Sequence, residues 1–244
     1  MRYQLRLFVR SPRAPVASVA TPLVLLALLA AITDHAEEPG YHAGLTASMV
    51  TLGIASTCYT TLAASLIASR DAGVLKRLRA TPLPVWRHVT GRVLATVVVA
   101  VAQALLVTAV ALAAFGARAR PADVGWSAAG LLLGPVTVGL IGVAIAQVVP
   151  RGDAAATLLS TTLLPVVLVS GVFFPVGRLP GWAAAIAEAS PLTHLATLLG
   201  ASPAGWTDAA WLLGWAAAAL LFTLWRFRFE PAPARERRLT RPAA

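Results

Sequence analysis

The chain has 244 residues and a formal net charge of +10, with 58% of residues hydrophobic and only 12% charged. A soluble domain carries about 25% charged residues, and here the apolar residues run in stretches near the roughly 20 needed to cross a bilayer. A soluble globular domain is therefore excluded in favour of an all-α integral membrane protein, and nucleic acid is disfavoured as a partner because the basic residues lie in the connections between apolar runs.

Residues 1–15 form a cytoplasmic N-terminal segment. Its "YQLRLFVR" alternates basic residues with Leu5, Leu7, Phe8 and Val9. That pattern fits an amphipathic helix lying on the cytoplasmic leaflet, or a topology signal alone. The first apolar run, Val16–Ile32, follows Arg2, Arg6, Arg10 and Arg13. It exceeds a usual signal-peptide core and no A-x-A site follows closely, so it is expected to be a retained helix. At 1.5 Å per residue it is about 25 Å long, short for a span.

Five more spans are expected at Ala43–Ala68, Val93–Phe115, Trp126–Val149, Ala154–Phe173 and Ala209–Trp225, giving a six-helix transmembrane unit over residues 16–225. The second span is rich in hydroxyls, and Thr46, Gly53, Thr57, Thr60 and Ala64 follow one helical stripe, with Thr61 beside it. The fifth carries Ser160, Thr161 and Thr162 before Pro165. Such groups either hydrogen-bond within the bundle or contact an amphipathic substrate without a charge. Cys58 lies inside an apolar run and reads as a buried inert thiol. In the fourth span, Gly130-x-x-x-Gly134 reads as a helix-packing motif.

The connection Ser69–Arg92 is the most polar long run between two apolar ones and contains Lys76, the single lysine. Val74, Leu75 and Leu78 share a helical face, while Lys76, Arg77 and Arg79 point elsewhere. Asp71 stands at the expected helix start, where negative charge suits the dipole. Pro82 and Pro84 end the helix. Val85, Trp86 and Val89 then read as an interfacial entry into the third span. The connection is a topology anchor or, given its short amphipathic helix with a hard stop, a rigid protrusion for a partner to hold.

Between the fifth and sixth spans, Pro175, Pro180 and Pro191 break the segment Phe174–Leu199, and Gly181–Ala189 is a short apolar piece. It is too broken to span twice. A re-entrant pair of half-helices at the external face fits, where protein covers the broken backbone; a loop resting in the headgroups is the alternative. The basic tail 226–244 is expected to be cytoplasmic and disordered.

With these spans, seventeen of the twenty basic residues fall on one side and Arg118, Arg120 and Arg178 on the other. The bias predicts both termini in the cytoplasm, in agreement with an even number of spans. The tripeptide Arg151-Gly152-Asp153 then lies inside the cell, where an adhesion role has no meaning. No ionisable residue lies near the middle of a span, which counts against an ion-coupled carrier and against an intramembrane hydrolase. None of His35, His42, His88 and His194 has a metal-ligand partner at helical spacing on a span, so no metal site is expected. No G-x-x-x-x-G-K-[ST] loop exists, and energy-driven work would need a nucleotide bound by another subunit. A non-transporting membrane anchor that recruits a cytosolic partner is the principal rival reading.

The run "RDAGVLKRLRATPLP" resembles the cytoplasmic loop of ABC-2 type permeases, whose usual pattern is close to R-E-x-G-T-L-K-R-L-R-A-T-P-L. It matches at Arg70, Gly73, Leu75, Lys76, Arg77, Leu78, Arg79, Ala80, Thr81, Pro82 and Leu83, with Asp71 in place of Glu and Val74 in place of Thr. A second stretch, Ser170–Leu195, resembles the family's S-G-x-x-F-P-x-x-x-L-P followed by P-L-x-Y/H, at Ser170, Gly171, Phe174, Pro175, Leu179, Pro180, Pro191, Leu192 and His194. Where the family often continues to Asp and then Arg, this chain has Thr197 and Gly200.

The resemblance is nearest to the daunorubicin-resistance-type drug exporters, and it implies a role for each matched segment. Arg70, Asp71, Gly73, Leu75, Lys76, Arg77, Leu78, Arg79 and Pro82 would belong to a coupling helix docked on an ATP-binding cassette subunit. Gly171, Phe174, Pro175, Leu179, Pro180, Pro191 and His194 would form an external gate. Thr57, Thr60, Thr61, Ser160 and Thr161 would line a pathway between two protomers. By the same resemblance the chain would be a bacterial plasma-membrane permease, itself no enzyme, in contact with lipid and assembled as a homodimer with two ATP-binding subunits. ATP and Mg would be bound by that partner.

Overall fold

Among the described residues every regular element is helical, the form in which apolar chain satisfies its own backbone groups inside lipid. The computed structural model describes residues 13–32, 41–71, 85–115, 124–149, 154–170, 172–173 and 179–226. The expected N-terminal interfacial helix, the lever motif over 72–84, the gate residues Gly171, Phe174 and Pro175, and the tail beyond Arg226 lie outside the described residues.

Helix α1 is Arg13–Ile32. The second span is α2, Tyr41–Ala55, a π turn over Ser56–Thr61, and α3, Leu62–Asp71. Then come α4, Val85–Phe115, α5, Val124–Ala146, and α6, Ala154–Val169. A short pair follows, α7, Gly181–Ala189, and α8, Pro191–Ala196. The latter runs into a second π turn, Thr197–Ala201, and α9, Trp206–Trp225, closes the described chain.

Four stretches are long and apolar enough to cross a membrane: Tyr41–Asp71, Val89–Ala114, Val124–Ala146 and Trp206–Trp225. The first and fifth expected spans are shorter apolar helices, Ala20–Leu29 and Ala155–Val169. Helix α4 begins at Val85, earlier than the hydropathy boundary at Val93. Arg87 and Arg92 obscured that turn, although long basic side chains tolerate an interfacial helix end. Helix α9 gains a turn because the Asp208 carboxylate accepts the Gly205 N–H at 3.0 Å and caps it. The positive φ of Gly200, 106°, ends the second π turn before that cap; a side chain there would be strained.

Helices α2 and α5 form the centre of the bundle. Met49, Ile54, Cys58, Val107, Val138, Leu195, Leu198 and Leu212 belong to one buried cluster. Leu62, Leu66, Ile67, Val143 and Leu159 belong to a second. Tyr59, in the π turn, packs against both. Glycines let α5 approach its neighbours closely: a Cβ at Gly142 would stand 2.4 Å from the Cys58 carbonyl oxygen, and one at Gly134 2.4 Å from Leu195 Cδ1. The expected Gly130/Gly134 packing motif therefore receives Leu198 and Leu195 of the short-helix region. Thr137 Oγ1 donates to the Leu212 carbonyl at 3.2 Å and joins α5 to α9. Leu105 and Leu112 of α4 and Leu221 and Leu224 of α9 are exposed. Water would penalise each by about 1.5–3 kcal/mol relative to burial; lipid does not.

Candidate functional site

The sequence-selected residues fall into three places along the bundle. At one end stands the root of the basic connection. Arg70 and Asp71 occupy the last described turn of α3, and the lever helix expected to follow Asp71 lies outside the described residues. Arg70 Nη1 donates to the Ala146 carbonyl at 2.6 Å. That oxygen lies in the last turn of α5, where helix carbonyls lack intrahelical donors and a cation is favoured. Across from it, Arg92 of α4 donates from Nη1 to the Ser65 carbonyl at 3.1 Å and also to Ser69 Oγ. Ser65 and Ser69 are one helical turn apart, so one guanidinium reads both. The two arginines thus fasten both flanks of the connection to α3, α4 and α5. Arg92 was legible only as a topology charge.

The middle of the bundle holds the hydroxyl-rich π turn. Thr57 is buried, and its Oγ1 donates to Gln103 Oε1 at 2.8 Å. Gln103 is 3% exposed in the centre of α4, a polar group that the surrounding apolar run concealed. A Cβ at Gly53 would stand 2.5 Å from Gln103 Nε2, so glycine makes room for that amide. Thr61 Oγ1 donates to the Ser56 carbonyl at 3.3 Å, and Thr60 Oγ1 is buried with no partner among the described residues. Tyr59 Oη and Thr162 Oγ1 lie 2.8 Å apart and link the π turn to α6. Such π turns recur at functional sites.

Helix α6 presents Ser160 and Thr161 outward, both exposed. With Thr157 and Leu164 they share one face by i, i+3, i+4 and i+7 spacing. Two of the five predicted pathway residues therefore sit on an open surface, whereas Thr57 is spent inside the bundle.

The opposite end carries the α7–α8 hairpin, with Leu179 and Pro180 at its entry and Ser190 at its bend. Pro191 opens α8 at N1, where its missing N–H costs nothing. Three carbonyls at the end of α7 each receive a side chain. Thr193 Oγ1 lies 2.5 Å from the Ala187 oxygen and 2.5 Å from the Ser170 oxygen. His194 Nε2 lies 2.8 Å from the Glu188 oxygen. Trp215 Nε1 donates to the Ala189 oxygen at 3.0 Å. The His194 Nδ1 atom lies 2.8 Å from Asp208 Oδ1, and the ring stacks on Trp211 with centroids 5.3 Å apart and planes 6° from parallel. Ser170 and Ser190 hydroxyls meet at 2.9 Å, tying the end of α6 to the hairpin. Neither Asp208 nor Trp211 was visible as a partner of His194, because 14 residues and a chain reversal separate Asp208 from it. An apolar recess of about 640 Å³ lies between α5 and α9, lined by Trp126, Leu133, Trp206 and Leu213 among others.

No group of three or more His, Cys, Asp or Glu side chains is placed to hold a metal among the described residues. The ABC-2 type transporter family matches residues 1–201, which contain the basic connection, the π turn and the hairpin. No individual curated protein matches the sequence.

Proposed function

The chain belongs to the ABC-2 type transporter family of transmembrane transporter components, and on that premise we propose that it is the permease subunit of an ATP-driven exporter. It is a multi-pass membrane protein of a family that generally pairs with an ATP-binding subunit and is not itself catalytic. In this reading α1 and α6 complete six spans, the arginine-rich end faces the cytoplasm, and the hairpin faces outward. The connection over 72–84 docks on the ATP-binding subunit. A homodimer with two such subunits, in a bacterial plasma membrane, moves an amphipathic drug or lipid-like molecule outward.

The observation that carries this reading is the double arginine root. Arg70 on Ala146 and Arg92 on Ser65 and Ser69 bind the flanks of the connection to three helices at once. A push on the connection is thereby delivered to α3, α4 and α5 together, and the bundle moves as a unit. The π turn above, where close-packed α5 meets a Cys58 carbonyl, supplies a place for the second span to flex. The uncovered Ser160 and Thr161 face offers a pathway between protomers a polar lining that carries no charge.

Co-reconstitution with the ATP-binding subunit in proteoliposomes tests this. ATP-dependent movement of an amphipathic fluorescent dye is expected, lost when either subunit is omitted. Assembly of the two subunits with no flux of any dye or labelled lipid would leave the anchor reading standing instead.

A further inference from the structure

The hairpin's hydrogen bonds fix a proton count, whether or not the chain exports anything. His194 offers two ring nitrogens, and each faces an oxygen at 2.8 Å: the Glu188 carbonyl and Asp208 Oδ1. A peptide carbonyl accepts and never donates, and an ionised carboxylate does the same. Neutral imidazole has one N–H, so one nitrogen would aim its lone pair at an oxygen. The closed arrangement therefore holds one proton more than neutral imidazole plus carboxylate. Asp208 Oδ2 already accepts the Gly205 N–H at 3.0 Å, so the carboxyl group meets His194 through Oδ1. The parallel Trp211 ring offers its negative face to a cation.

We propose that His194, as an imidazolium bridging Glu188 and Asp208, is a proton-binding latch that holds the α7–α8 hairpin on α9 and lets go as pH rises. Charge-assisted bonds on both nitrogens hold the closed state. Loss of the proton leaves either the Glu188 carbonyl or the Asp208 carboxylate without its donor. Linkage sets the sign: the closed state binds the extra proton, so it is favoured at low pH and lost as pH climbs.

The surroundings support the count. Among the described residues of the helices packed on α8, the titratable groups are Asp208 on α9, Glu188 on α7, and Tyr41 and His42 at the start of α2. Helix α5 and the turn Thr197–Ala201 contribute none. No described Lys or Arg of these elements competes for Asp208. The Ser170–Ser190 bond ties the hairpin to α6 and not to α9, and the Trp215–Ala189 bond joins α7 to α9 without the ring, so opening breaks that one neutral bond once the charged His194 strap has gone.

The full chain in lipid nanodiscs, with Cys58→Ala and spin labels at Ile186→Cys on α7 and Leu213→Cys on α9, gives the readout. Both label sites are 54% exposed and outside the latch. Pulsed electron resonance measures their separation from about pH 5 to about pH 9, the interval that brackets histidine titration. Nitrogen resonances of labelled histidine, with His194→Gln subtracted, report the ring. The expectation is two protonated ring nitrogens and one short distance at low pH. A second, longer distance appears where the ring loses its proton, the closed-to-open ratio falling about tenfold per pH unit above that point. His194→Arg keeps charge and donors and stays closed throughout. Asp208→Asn can donate to a neutral ring and also stays closed at high pH, which covers the case of an arginine variant that does not fold. A ring that is neutral at every pH, a ring that keeps its proton across the range, or a distance indifferent to ring protonation overturns the proposal.

Discussion

Replacing Gly142 by alanine places one methyl group where α5 meets the π turn. The new Cβ would stand 2.4 Å from the Cys58 carbonyl oxygen, 3.4 Å from its carbon and 3.5 Å from Tyr59 Cα. All three neighbours are backbone, so no rotamer change relieves the clash. A C···O contact is comfortable near about 3.3 Å or more, so the helices must part by roughly 1 Å. A gap of that size forfeits a quarter to a half of each dispersion well along the seam, and overpacking of this kind typically costs about 1–3 kcal/mol. Alanine's better helix propensity returns up to about 1 kcal/mol. The net loss is then about 0–3 kcal/mol, and at roughly 2–4 °C per kcal/mol for a chain of this size the melting temperature should drop by up to roughly 12 °C. Thermal melts in detergent at one fixed scan rate measure it, because unfolding of such proteins is commonly irreversible. Gly214→Ala is the control, since nothing lies within 4 Å of its Cβ. A Gly142→Ala protein that melts with or above Gly214→Ala refutes the close packing at the π turn.

Gln103→Leu strands the buried Thr57 hydroxyl and should cost about 0.6–1.7 kcal/mol, the range for interhelical side-chain bonds in membranes; adding Thr57→Val should return part of that in the same melt. Arg92→Ala removes the two bonds to Ser65 and Ser69. It should leave assembly and ATP hydrolysis of the reconstituted complex intact while flux per ATP falls several-fold, and Arg92→Lys should recover only part because a single ammonium cannot reproduce the fork. Ser160→Val with Thr161→Val should change dye flux without moving the melting temperature, as both side chains are exposed.

The helical spans were legible because lipid forces long apolar runs into helices and leaves charges at their ends. The centres of α2 to α5 and α9 follow the hydropathy of the chain, and the hairpin was signalled by its three prolines. Ends were less legible. The first turns of α4 lie under Arg87 and Arg92, and the first turn of α9 depends on the Gly205–Asp208 cap. Within the hydroxyl-rich spans, periodicity alone could not tell that Thr57 turns inward to Gln103 while Ser160 and Thr161 face out. Helical spacing also assumes 3.6 residues per turn, and the π turn at Ser56–Thr61 breaks that register. Spacing along a single helix left His194 without a partner, because its partners come from the end of α7 and the start of α9.

In the proposed function, an ATP-binding subunit moves the chain through the connection rooted at Arg70 and Arg92. A photo-crosslinking residue at Leu78, introduced into the full chain in cells that also express the ATP-binding subunit, tests it most directly. The expected result is an adduct with that subunit whose yield changes between nucleotide-free and ATP-bound conditions, together with protection of position 78 from reagents added outside the cell. Labelling from outside, or an adduct with lipid and no nucleotide-binding protein, would contradict it.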